Sequence, residues 1–64
     1  MKAPRYMREY AEHIRSECDR YNRQFPENEG WKEIIKEADW IIHIYEEDLI
    51  TEQEAMRALS SLPY

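Results

Sequence analysis

Apolar side chains recur at three- and four-residue steps along most of this chain, and only one short segment, Pro26-Glu27-Asn28-Glu29-Gly30, interrupts the rhythm. That spacing matches the α-helical turn, and it leaves no stretch with the two-residue alternation of a half-buried strand. The expected fold is therefore all-α. With 64 residues and a single glycine, the chain has room for one small domain.

Helix 1 is expected over about residues 4–24. Pro4 suits the first helical position, where a missing N–H costs nothing. Met7, Tyr10, Ala11, Ile14, Cys18, Tyr21 and Phe25 fall within an arc of roughly 100° on a helical wheel. The basic residues Lys2, Arg5, Arg8, Arg15, Arg20 and Arg23 project from the opposite side. Pro26 ends this helix, because a proline pushes the residue before it out of the α region.

Helix 2 is expected over about residues 30–48, with Asn28 placed to cap it. Its core stripe is Trp31, Ile34, Ile35, Ala38, Ile41, Ile42, Tyr45 and Leu49. Trp40 and Ile44 stand apart, about 100–160° from the stripe centre. A helix that is apolar over more than half its circumference is either central in its own bundle or covered by a second chain. Helix 3 is expected over about residues 52–62. Thr51 and Glu54 have the spacing of a capping box, and Ile50 and Ala55 that of a hydrophobic staple. Ala55, Met56, Leu59 and Leu62 form its apolar face, and Pro63 stops it. The expectation is a three-helix bundle in one domain spanning residues 1–64. A chain of this size buries only about 60% of its unfolded surface, so homodimerisation is a natural way to complete the core.

Charge is unevenly placed. Residues 1–25 carry six basic and four acidic side chains (+2), whereas residues 26–64 carry three and ten (−7), for a net of −5. An acidic chain lacks the basic footprint that general phosphate-backbone binding requires. The basic side of helix 1 is also interleaved with acids at salt-bridge spacing: Arg5–Glu9, Arg8–Glu12, Arg15–Asp19 and Asp19–Arg23. As a DNA-reading helix, helix 3 would begin Glu52-Gln53-Glu54 and repel phosphates. The cluster Glu46, Glu47, Asp48, Glu52 and Glu54 suits a mimic of nucleic acid that blocks a basic groove. The simpler reading is that Glu52 and Glu54 serve the start of helix 3, while Glu46, Glu47 and Asp48 form the solvent edge of helix 2.

Several chemistries are not expected. One cysteine, Cys18, allows no intrachain disulfide and no multi-cysteine zinc site. Its place in the helix 1 stripe makes it a small buried hydrophobe. Ser60 and Ser61 have no histidine near them in sequence, and one glycine cannot build a phosphate-cradling loop. Glu9-His13-Glu17 and Asp39-His43-Glu47 each place acid, histidine and acid at four-residue steps, a set that suits a divalent ion. Both lie on helix flanks, and the Glu-x-x-His spacing of di-iron bundles is absent, so no metal, cofactor or catalytic residue is expected. No apolar run reaches the roughly 18–20 residues of a membrane span, and there is no signal-peptide h-region. A complete short reading frame and a cytoplasmic location are expected.

Two segments carry a resemblance. Ala3-Pro4-Arg5-Tyr6-Met7-Arg8-Glu9-Tyr10-Ala11 and Leu49-Ile50-Thr51-Glu52-Gln53-Glu54-Ala55-Met56-Arg57 resemble the two ends of short, uncharacterised accessory proteins of bacterial prophages and integrative elements. The resemblance implies an accessory protein of a mobile element and brings no activity, cofactor or site with it. The residues themselves point to a small, non-catalytic protein–protein interaction module. Its interface is expected at Trp40 and Ile44, and its partner is the chain itself, as a homodimer, or another protein. The alternative is a nucleic-acid-linked role, as an acidic DNA mimic or a weak DNA-binding regulator.

Overall fold

The computed structural model describes residues 2–64, and these form three helices joined by two short connections. They are α1 (Arg5–Gln24), α2 (Gly30–Glu46) and α3 (Glu52–Ser60). No strand occurs among the described residues. The molecule measures 36 × 18 × 16 Å, and the long axis is set by α1, whose 20 residues span about 30 Å. α1 and α2 pack along most of their lengths, while α3 leans mainly on α2 and touches α1 more lightly.

The core is the three stripes brought face to face. α1 supplies Met7, Ile14 and Cys18, α2 supplies Ile34, Ala38, Ile41 and Tyr45, and α3 supplies Ala55 and Leu59. Tyr10, Trp31, Ile35, Ile42, Ile50, Met56, Ala58 and Leu62 pack around them, partly buried. Ala3, ahead of the first helix, is also buried.

The helix ends differ from the sequence expectation in instructive ways. Pro4 is not the first helical residue but the cap, with φ −66° and ψ 157°. Its carbonyl accepts from the N–H groups of Met7 and Arg8, both at 3.1 Å. α2 stops at Glu46 and α3 at Ser60, two residues earlier than the apolar patterns suggest.

Phe25 and Leu49, both expected on core stripes, are 54% and 70% exposed. Phe25 has left the helix (φ −131°, ψ 67°), because Pro26 follows it. The stripe therefore ends one residue before its last apolar position.

Leu49 is turned outward by the end of α2. Asp48 takes φ 63°. The Leu49 N–H reaches the Ile44 carbonyl at 2.9 Å, and the Asp48 N–H reaches that of Tyr45 at 3.0 Å. This is the Schellman closure, with aspartate in the left-handed position usually held by glycine. Two residues later the capping box is complete. The Glu54 N–H donates to Thr51 Oγ1 at 3.1 Å, and the Thr51 N–H donates to Glu54 Oε1 at 2.9 Å. Ile50 packs against the core just ahead of that cap, as a staple should. At the other end of α2 the capping position is held by Glu29, whose side chain makes no capping bond. Asn28, expected to cap, sits one residue earlier, and its Oδ1 accepts from the Gly30 N–H at 2.9 Å as an Asx turn leading into the helix.

Candidate functional site

The side of α2 turned away from α1 and α3 carries the largest apolar group that the fold leaves uncovered in mid-helix. Trp40 is 56% exposed, and Ile44, one turn on, is half-buried outside the packed core. Of the two fates open to these residues in the sequence, core or surface, the structure places Trp40 on the surface. The reason is geometric: the buried stripe of α2 runs through Ala38 and Ile41, and Trp40 points about 130° away from their midpoint. Its indole lies tilted against the His43 ring, with centroids 5.6 Å apart. Glu33, Lys36, Glu37 and Glu47 are exposed as well and share this side of the helix on the wheel. Lys36 reaches Glu33 at 3.6 Å.

The two acid–histidine–acid triplets are not assembled into ligand sets. Among the described residues, no three His, Cys, Asp or Glu side chains gather closely enough to hold a metal. Glu9 instead accepts from Arg5 at 2.8 Å, and Glu17 from Arg20 at 2.6 Å. The His13 ring meets Tyr64 edge-on, with centroids 6.2 Å apart. Asp39 receives the Arg15 guanidinium on both carboxylate oxygens at 2.7 Å.

That last pair also corrects the expected ladder on α1. Arg15 lies on the flank of the helix, not opposite the stripe, and crosses to α2 instead of pairing with Asp19. The Asp39 carboxylate, by hydrogen bond and then by charge, raises the Arg15 pKa further. Of the four pairs expected along α1, only Arg5–Glu9 is formed among the described residues. Arg20 pairs with Glu17 and also lies 5.2 Å from the Tyr21 ring centroid.

Other chemically distinctive groups belong to the fold. Cys18 is fully buried, and burial pushes its thiol pKa up, away from the reactive thiolate. Tyr21 and Trp31 stack at 4.9 Å between the start of α2 and the end of α1. A cleft of about 400 Å³ lies at the α2–α3 corner among Tyr45, Asp48, Leu49, Ile50, Glu52 and Glu54, and it is open to solvent.

The acids of this corner have structural work. Glu46 Oε2 accepts from the Ala3 N–H at 3.0 Å. Glu52 accepts from the Tyr6 hydroxyl, which pushes the Tyr6 pKa up to about 12. Glu54, bonded first by the Thr51 backbone N–H and then by its hydroxyl, is held below the usual glutamate range. Sequence reasoning missed the Ala3–Glu46 and Tyr6–Glu52 ties, since no short-range spacing encodes a contact across more than forty residues.

No known protein family, curated protein or solved structure matches this chain. A functional reading rests on its own surfaces. Among the described residues, no helix is long and apolar enough to cross a membrane.

Proposed function

We infer that this chain is a small, non-catalytic interaction module whose working surface is the outer face of α2, anchored by Trp40 and Ile44. The observation that carries the reading is the exposure of Trp40 in the middle of a helix. The other large exposed apolar residues, Tyr6, Phe25, Leu49 and Tyr64, all lie near helix ends or the chain terminus. Covering the open half of an indole removes on the order of 100 Å² from water, worth about 2.5 kcal/mol at about 25 cal/mol per Å². That is comparable with a large share of the stability of a domain this small, so a partner that covers the indole gains a substantial increment of binding energy. An accessory or regulatory role, as the terminal motifs suggest for a mobile element, fits a module that acts by contact alone. A nucleic-acid mimic has less support, because Glu46, Glu52 and Glu54 are held by intramolecular hydrogen bonds.

The test is sedimentation equilibrium of the wild type beside Trp40→Glu, with circular dichroism on both. Trp40→Glu is expected to keep its helicity, since Trp40 lies outside the core. If the face serves a homodimer, the wild type sediments as a dimer and the variant as a monomer. Collapse of helicity in the variant would instead make Trp40 part of the fold's own support and end the reading.

A further inference from the structure

The charges around Trp40 and Ile44 bear on what covers them. On a helical wheel, Glu33, Glu37 and Glu47 all fall within about 40° of the midpoint between the two anchors, and Lys36 lies about 60° away. The face is therefore two apolar groups one turn apart, enclosed by three carboxylates and one ammonium. The lone lysine is already beside Glu33. Neither Glu37 nor Glu47 has a basic partner within ion-pair distance among the described residues.

A second copy of the same face answers this pattern poorly. In antiparallel pairing with the two-fold axis at Trp40, Glu47 of the second copy falls opposite Glu33. With the axis midway between Trp40 and Ile44, it falls opposite Glu37. Parallel pairing sets each glutamate against itself. Like charges placed directly opposite across an interface are unfavourable and serve to suppress that pairing.

We propose that the outer face of α2 receives a basic amphipathic helix of a different protein. Two of that helix's apolar side chains, one turn apart, seat against Trp40 and Ile44, while Lys or Arg beside them answers Glu33, Glu37 and Glu47. The proposal rests on the interaction-module reading and names the partner's chemistry. Helix-in-groove recognition is built this way, with anchors at i and i+4 supplying affinity and the flanking charges supplying orientation and on-rate. The surplus of seven negative charges beyond Phe25 steers a basic segment in the same sense.

The probe is a synthetic amphipathic peptide of about 18 residues, carrying leucines one turn apart flanked by Lys and Arg. The control is the same peptide with every Lys and Arg replaced by Glu. Fluorescence anisotropy at physiological salt reads binding to wild type, to Trp40→Ala, to Glu37→Lys/Glu47→Lys, and to Asp19→Lys/Glu27→Lys. The last variant makes the same change in net charge away from the face, and circular dichroism verifies that each variant is folded. The basic peptide is expected to bind wild type and the off-face variant alike, and to lose at least about tenfold in affinity on each face variant. The acidic peptide is expected not to bind.

Equal losses from the two charge-reversal variants would reduce the attraction to net charge and overturn the proposal. So would equal binding of the acidic peptide, or no binding of the basic one. Self-association lost in Trp40→Ala, with the basic peptide silent, would overturn the partner's chemistry and leave the interaction face standing. Silence of the peptide without self-association would remove both.

Discussion

The two ends of α2 are built from different materials. At its start, the five loop residues from Phe25 to Glu29 offer one side-chain bond, Asn28 Oδ1 on the Gly30 N–H, and no side-chain cap, and the junction is held by the Tyr21–Trp31 stack. At its finish, Schellman closure, capping box and staple follow one another without a gap. Two long-range hydrogen bonds, Ala3 to Glu46 and Tyr6 to Glu52, tie the amino-terminal segment to the same corner. One end is held by aromatic surface, the other by directional bonds. Local opening follows the density of such restraints, so the loop end should open at lower free energy than the corner.

The hardest blow to the corner comes from beneath it. Leu59, fully buried, is the residue by which α3 holds the core. Leu59→Ala should cost about 2–5 kcal/mol, comparable with the whole stability of a domain this size. Urea unfolding should show a lost or much lowered midpoint, whereas Phe25→Ala at the loop end should stay within about 0.5 kcal/mol of wild type. A tolerant Leu59→Ala would mean that α1 and α2 fold without α3.

Capping gives a finer comparison. Thr51→Ala removes the hydroxyl that accepts from the Glu54 N–H, the side-chain half of the capping box, and should cost about 1 kcal/mol. Native-state hydrogen exchange should accelerate in the α3 amides and leave the first turn of α2 unchanged. Asn28→Ala should do the opposite, with a smaller effect, because the bond it loses lies in an Asx turn ahead of α2 and does not cap the helix.

The amino end of α2 already carries acids that suit the helix dipole, Glu29 and Glu33, and Asn28→Asp adds another. It should stabilise by about 0.3–1 kcal/mol, read as a rise in Tm, and the gain should shrink in high salt.

The smallest expected effects are those of pH, and they concern the corner alone. Glu54 is held below its ordinary value. Its contribution is complete above about pH 4.3 and is lost as pH falls through the depressed folded value. Tyr6 is displaced the other way, up to about 12. Its contribution is complete below about pH 10 and is lost as pH rises through the folded value. Glu54→Gln should flatten the acid side of the stability profile and Tyr6→Phe the alkaline side.

The helices, the core stripes and the capping box were legible in the sequence because each depends on spacing within one helix or turn. Ile14, Ala38 and Leu59 are buried where periodicity put them. What could not be read depends on how a helix ends or where its neighbour lies. Leu49 leaves its stripe because Asp48 adopts a glycine-like conformation, a choice that composition does not announce. Arg15 abandons Asp19 for Asp39 because the α1–α2 register brings a bidentate acceptor within reach, which no i, i+4 count can see. Trp40 was visible as an outlier on the wheel; its exposure became definite only once α1 and α3 were seen to dock on the opposite side.

Cys18 gives the molecule a clock. Its thiol is sealed at the centre of α1, in contact with solvent only when the helices part. A small alkylating reagent in excess therefore reacts at a rate set by how often the bundle opens, or by how much of the time it stays open, depending on reagent strength. Because it is the chain's only cysteine, a single mass shift records each event. Any partner that closes over the fold and slows its opening would lengthen the interval between ticks.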